Sequence, residues 1–454
     1  VFMESRTDQP PPLPHAANYR FSRSGLVLAL LVIAACAASV VGKSDDKPEK
    51  KDASLAPNSI LNLSARYAVG VQGLMKMGGS WSPALTEQML KDMKALKTSE
   101  ADALRLLLLK SWLDDALPDE AAWKNTAADN PSLKTDAALF HKLMTSANAI
   151  EASELASLEK RHGWLTRLAK VRSLAETDPA RQAVVSQGIK TAVVAIVGIL
   201  VVLVAGAVGI ALWLVGIHRL RIGQLLRSLE PRSGPEGGVL IEGFALYLLL
   251  FLALPWLLSV LPVKLPATLH FLPPVTAWLI GMCWPLFRGM SSGTWAQCLG
   301  LHRGQGVFRE LGAGLIGWLA ALPLMALSVF ASTAITRYTG DVPSHPIVDY
   351  FAGSDWTRFT AVILAVVWAP ITEEIMFRGL LFPGLSARLR WLLGMLLGAF
   401  IFAVIHPQGW AGVPPIMTLA ATFSLLRLWR QSLIAPMTAH AINNGSVCLV
   451  MLLM

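Results

Sequence analysis

The chain has 454 residues, of which 54% are hydrophobic and only 15% charged, and its mean hydropathy is +0.51. A soluble globular protein carries about 25% charged residues, so a single soluble domain is excluded and a polytopic membrane protein is indicated. The net charge of +9 does not point to nucleic acid. The sequence has no basic stripe with interleaved aromatics, and membrane proteins collect Lys and Arg on the cytoplasmic side of their spans.

Residues 1–23 are polar and Pro-rich, as in a disordered tail. Leu26 to Val41 is the first apolar run. It has 16 residues, short for a span that needs about 20. We read residues 1–42 as a tail and an N-terminal anchor helix. Signal-peptide or lipoprotein-type processing at Cys36, after "VIAAC", is the alternative. Cys283, Cys298 and Cys448 also lie in or beside apolar segments. With no CxxC pair, a disulfide framework or zinc knuckle is not expected.

Residues 43–190 concentrate Lys, Asp and Glu. "LTEQMLKDMKAL", "EADALRLLLLKSWLDDAL" and "EASELASLEKRHGWLTRLAKVRSLAE" place apolar residues at helical spacing. Pro57, Pro83, Pro118, Pro131 and Pro179 punctuate the region. The reading is a soluble, extracytoplasmic bundle of about five helices, with His141 and His162 as solvated helix residues.

The remainder is apolar. Spans are expected near Thr191–Val215, Val239–Leu261, Phe271–Phe287, Leu311–Ile335, Thr360–Phe382, Trp391–His406, Val413–Leu428 and Leu433–Met454. The fold class is therefore all-α, a membrane bundle of about eight or nine transmembrane helices with an extra-membrane helical insert near the N-terminus. Residues 191–289 form accessory spans, and residues 290–454 a second membrane domain. With a cytoplasmic N-terminus, the inside loops carry eleven arginines (Arg219, Arg221, Arg227, Arg232, Arg288, Arg303, Arg309, Arg388, Arg390, Arg427 and Arg430). The outside loops carry three basic residues, Lys264, Arg337 and Arg358, so the positive-inside bias supports this orientation. A bacterial inner membrane is the expected location, with the lipid bilayer as a partner and no nucleic acid.

"APITEEIMFRGLLFPG" at 369–384 breaks the apolar pattern. An ionised group at the bilayer centre costs roughly 3 kcal/mol on insertion scales. Glu374 and Arg378 are four apart and share a helical face in the favourable order, so they can pair. Glu373 points about 100° away and has no local partner. A lone carboxylate in a low-dielectric site suits a general base that holds a water. Two further polar clusters occur in later spans. "FAVIH" puts Phe402 and His406 four apart, and "HAINN" puts His440 and Asn444 on one face. Lipid cannot satisfy such groups, so they are expected to converge in the bundle interior. Two chemistries fit. Glu373 could deprotonate a water, with His440 and Asn444 donating to an oxyanion and His406 orienting the water. Alternatively, His406, His440 and a carboxylate could bind zinc, which wants three protein ligands, although HExxH is absent.

Taken together, Glu373–Glu374–Arg378 (EExxxR), Phe402–His406 (FxxxH) and His440–Asn444 (HxxxN) resemble the CAAX prenyl endopeptidase family, also called the CPBP or Abi family of intramembrane glutamic proteases. The resemblance covers roughly residues 290–454. It implies an all-α membrane fold with the catalytic residues inside a cavity. Glu373 would be the water-activating base, His406 its helper, and His440 with Asn444 the oxyanion site. Glu374, Arg378 and Phe402 would support them. It implies hydrolysis of a peptide bond in a membrane-associated peptide or protein and no catalytic cofactor, with zinc as the alternative. Bacterial members also include immunity-type and scaffolding proteins, so a non-catalytic scaffold of the same fold is the competing reading. A proton-relay transporter would need paired interrupted helices in two repeated halves, and no such repeat is present. On these span edges His406 lies near the outer end of its span and His440 near the inner side. An interfacial or tilted turn in "LSARLRWLLG" would bring His406 deeper.

Overall fold

The computed structural model describes residues 27, 29–33, 59–94, 99–126, 130–146, 150–221, 237–260, 266, 269, 271–339, 350–351 and 353–453. The expected tail and Cys36 lie outside the described residues. Every regular element among the described residues is helical. The chain divides into two compact units, with the division at residues 203 and 204.

The first unit contains α1 (Ser59–Met77), α2 (Pro83–Lys94), α3 (Ala101–Leu113), α4 (Glu120–Thr126), α5 (Pro131–Thr145), α6 (Ala152–His162), α7 (Trp164–Lys170) and the start of α8 (Pro179–Arg221). Local chemistry sets the ends. Asn130 caps α5 by accepting from the Ser132 and Leu133 amides, with Pro131 at the first turn, where its missing N–H costs nothing. Glu151 and Glu154 form a reciprocal capping box at α6. Gly163 takes φ 63°, a backbone region open to glycine, and so separates α6 from α7. Trp112, Phe140, Leu158, Trp164 and Leu165 share one apolar core.

A buried polar cluster crosses that core. Arg161 grips both oxygens of Asp136 at 2.9 and 2.5 Å, and His162 Nε2 donates to Asp136 Oδ2 at 2.8 Å. Arg105 pairs with Asp102 at 2.6 Å and donates to the Arg161 carbonyl at 2.7 Å. His162 is fully buried, which corrects the expectation of a solvated residue. Its acidic partner lies far off in sequence, on α5. Burial works against ionisation of Asp136, but the His162 and Arg161 hydrogen bonds hold its carboxyl below the usual range. Burial pushes His162 below its ordinary 6.5, against the pull of Asp136. Its Nδ1 is buried with no hydrogen-bond partner, so a second proton would have no acceptor there.

Both shifts have the same sign for stability. Below about pH 6.5 the unfolded chain protonates this histidine while the folded site resists, and at lower pH the Asp136 carboxylate is lost as well. Hydrogen exchange of amides in α5–α7, corrected for intrinsic rates, should therefore report falling protection as pH drops from 7.5 to 5. Constant protection across that range would refute this account.

The second unit holds the rest of α8 and α9 (Gly237–Val260), α10 (Leu272–Phe287), α11 (Ser292–Leu299) and α12 (Val307–Thr339). A long helical stretch, Asp355–Val404, follows, and then α16 (Gly409–Arg430) and α17 (Ile434–Leu453). Within the long stretch α13 is Asp355–Ile363, α14 is Ala369–Glu374 and α15 is Phe382–Val404. Five helices among the described residues are long and apolar enough to cross a membrane: Pro179–Arg219, Gly237–Leu258, Val307–Thr339, Asp355–Val404 and Gly409–Arg430. Leu272–Phe287 is a shorter apolar helix. The last described helix, α17, carries His440, Asn443 and Asn444 in an otherwise apolar run. These helices mark a multi-pass integral membrane protein.

The expected fifth and sixth spans both fall in Asp355–Val404. This stretch is not straight. Arg390 takes φ 66° and ψ 157°, and beyond it the chain runs back on itself. A Cβ at Gly394 would lie 2.8 Å from the Ser386 amide nitrogen, and Gly398 faces Leu381 and Leu385. Elsewhere prolines interrupt the helices, and neighbouring side chains serve the exposed backbone. Pro415 removes the donor for the Ala411 carbonyl, which accepts from Ser332 on α12 at 2.5 Å. Near Pro323, the Ala320 carbonyl accepts from Trp213 on α8 at 2.7 Å.

Three arginines from the loop count are structural. Arg430 binds both oxygens of the fully buried Glu310 at 3.0 and 2.7 Å, joining α16 to α12. Arg427 is buried and donates to the Cys298 carbonyl at 2.9 Å. Arg288 pairs with Glu242 of α9 at 3.2 Å.

Candidate active site

The site forms where four pieces of the second unit meet: α14, the end of α15, α16 and α17. The helix leading into Glu373 is irregular, and its sequence says why. Two prolines, Pro370 and Pro383, lack the N–H that an α-helical ladder needs at their positions. The turns just before them widen to π-helical form over Leu364–Trp368 and Ile375–Leu381. In the first, the Ala369 amide bonds to Leu364, five residues back, and in the second Phe382 bonds to Phe377. Each widened turn adds a residue to the helix and so changes the face that later residues present by about 100°.

Glu374 is fully buried. Arg378 Nη1 donates to its Oε1 at 3.0 Å, and His440 Nδ1 donates to the same oxygen at 2.9 Å. The second guanidinium nitrogen donates to the Ala420 carbonyl of α16 at 2.8 Å. Aromatic rings wall in the guanidinium, with Phe402 at 4.7 Å and Phe423 at 5.2 Å. The ring faces favour the cation where water is absent. Phe423 also stacks on His440, at 5.0 Å between centroids and 21° between planes.

Glu373 is built differently. Its side chain is partly exposed, and its Oε2, like that of Glu374, is buried without a hydrogen bond. Two imidazole nitrogens face that oxygen: His440 Nε2 at 3.8 Å and His406 Nε2 at 4.0 Å. Both are beyond hydrogen-bond length. The far nitrogen of each ring is committed. His406 Nδ1 lies 2.6 Å from the Phe402 carbonyl, which can only accept, and His440 Nδ1 is on Glu374. In each neutral ring the proton therefore sits on Nδ1, and the Nε2 lone pair faces Glu373.

The structure thus brings Glu373, Glu374, Arg378, Phe402, His406 and His440 together. The fold-back at Arg390 lets His406 reach Glu373, so the chain reverses at the place where a tilted turn was expected. Asn444 is one turn beyond His440, and its Nδ2 donates to the Ala365 carbonyl at 2.8 Å. Among the described residues no group of three or more His, Cys, Asp or Glu is arranged to hold a metal ion. Three features of the site escape a sequence reading: the Ala420 carbonyl, the Phe423 ring and the bond from His440 to Glu374. Each depends on which helices become neighbours.

Residues 355–446 match the family described as type II CAAX prenyl endopeptidase Rce1-like. The match includes all seven residues of the three sequence clusters. No curated protein and no solved structure matches the chain.

Arg378→Ala should be the most damaging single change at the site to folding. It leaves Glu374 buried with one partner fewer, and removing one member of a buried ion pair costs about 3–5 kcal/mol. Arg378→Lys should recover only part, because an ammonium is a poor match for the Ala420 carbonyl, Glu374 and ring faces together. Melting temperatures in detergent give the comparison. A native melting temperature for Arg378→Ala would show that the pair is dispensable.

Proposed function

We propose, with the membership of the C-terminal region in the Rce1-like type II CAAX prenyl endopeptidase family as the premise, that this protein is a membrane-embedded endopeptidase in which Glu373 activates the attacking water. The observation that carries the reading is the unbonded Glu373 Oε2 facing two Nε2 atoms at 3.8 and 4.0 Å. Those separations are too long for direct bonds and leave room for one small oxygen species within reach of all three groups.

The chemistry follows from the protonation pattern. Glu373 takes a proton from the water as its oxygen attacks the peptide carbonyl. His406, fixed by the Phe402 carbonyl, accepts a hydrogen bond from the water through Nε2 and orients it. His440 departs from that neutral pattern: it takes a proton from solvent on Nε2 before the attack, with the Glu374 carboxylate behind Nδ1 compensating the charge, and donates a hydrogen bond from Nε2 to the oxyanion. The C–N bond then breaks, and Glu373 returns its proton to the leaving amine. Glu374 needs a permanent cation in this dry site, and Arg378 supplies it. The substrate is a membrane-associated peptide or protein.

Glu373→Gln should lower turnover by at least about a hundred-fold, the usual contribution of a general base, while membrane levels stay unchanged. Peptide termini mapped across the membrane and secreted proteome, native chain against Glu373→Gln, provide the readout. In purified membranes, cleavage should survive a strong chelator. Chelator-sensitive cleavage restored by zinc would replace the base mechanism with a metal-assisted one. Identical termini from native and variant cells that make the substrate would favour a scaffold of the same fold.

The topology belongs to the same proposal: about eight or nine spans in a bacterial inner membrane, the N-terminus cytoplasmic, residues 43–190 an extracytoplasmic helical domain, and residues 191–289 accessory spans beside the protease domain at 290–454. A cysteine at the exposed Ala138 of α5, in a chain otherwise free of cysteine, should react with a membrane-impermeant maleimide in cells whose outer barrier has been opened. Reaction only after lysis would invert the topology.

A further inference from the structure

The widened turn ahead of Glu373 has an odd carbonyl. In the Leu364–Trp368 turn the ladder runs five residues back, and the Ala369 amide bonds to Leu364. The next rung would join residue 370 to Ala365. Residue 370 is proline and has no N–H. The Ala369 amide, the other backbone donor in range, is already engaged. The Ala365 oxygen therefore has no donor from its own helix, and a half-buried carbonyl in an apolar bundle without one is costly. Asn444 Nδ2 fills the place at 2.8 Å, across 79 residues of sequence.

The geometry points to Asn444 as a positioning residue whose amide replaces the backbone N–H that Pro370 lacks, holding the wide turn open and so fixing the face on which Glu373 stands. The consequence for catalysis rests on the proposed role of Glu373. Were the turn to relax to ordinary α-helical spacing, residues beyond it would rotate by about 100° relative to α13, and Glu373 would leave the two imidazoles. Asn444 and His440 sit one turn apart on α17, so one helix both faces the carboxylate and sets its direction.

The test needs no turnover, so it can fail independently of the protease reading. Glu373 and His440 are replaced by cysteine in a full-length chain otherwise free of cysteine, and the pair is bridged in native membranes with a short bifunctional methanethiosulfonate, because the native side chains meet at their tips and the shorter cysteines stand too far apart for a direct disulfide. The joined peptides are quantified by mass spectrometry. The parent should crosslink. Adding Asn444→Ala or the isosteric Asn444→Asp should cut the yield about ten-fold, as expected when a half-buried acceptor loses its donor. Pro370→Ala restores a backbone N–H at the missing rung, so Pro370→Ala alone and Pro370→Ala with Asn444→Ala should both crosslink like the parent. The assignment is overturned if Asn444→Ala crosslinks as well as the parent. It is equally overturned if Pro370→Ala fails to rescue Asn444→Ala, or if Pro370→Ala itself abolishes the crosslink. Rescue by a residue that contacts no substrate would not occur if Asn444 acted only as an oxyanion donor.

Discussion

The Oε1 atom of Glu374 is the point on which the second unit depends. An arginine from its own helix and a histidine from α17 both donate to it, and the same arginine reaches the backbone of α16. In a medium without water a buried carboxylate takes its hydrogen bonds from protein, and each bond, here both on Oε1, ties down an element. Three helical segments are fixed by that one need. The aromatic ring wall around Arg378 follows from it, since a guanidinium held away from water is best surrounded by π faces that leave its edges free for hydrogen bonding.

Placing two acids side by side then yields two environments. Glu374 faces inward to a cation and serves structure. Glu373, one residue earlier, faces the Nε2 atoms of His406 and His440 without bonding to either. His440 joins the two environments, with Nδ1 bonded to Glu374 and Nε2 facing Glu373. Its Nδ1 partner sets the tautomer, and the tautomer determines what Nε2 offers to Glu373. One carboxylate is therefore bound and the other left unbonded, and a single imidazole borders both.

Parts of this arrangement are legible in the sequence because they are local. The four-residue spacing of Glu374 and Arg378 is enough to bring them together, and the same spacing leaves Glu373 apart. Helical character and the apolar runs follow from composition and period. What stays hidden depends on distant segments or on departures from regular geometry. Arg390 carries none of the usual turn chemistry of Gly, Asn or Asp, yet the chain reverses there. The wide turns are not visible in a 3.6-residue period, although Pro370 and Pro383 mark where the ladder must fail. His162 reads as a surface residue beside Lys160 and Arg161 until α5 brings Asp136 against it. Arg427 and Arg430 read as topology signals, while the fold uses one to hold the Cys298 carbonyl and the other to neutralise Glu310.

The placement of His440 on the last described helix imposes an order in time. Arg378 is four residues from Glu374, so the charge can be compensated as soon as that helix forms. The second donor arrives only with α17, after the fold-back and α16 have been synthesised. A partly made chain thus holds a neutralised but unoriented acid pair. The arrival of α17 completes the imidazole link, so Glu374 gains its second donor only after the helices that precede α17 are in place.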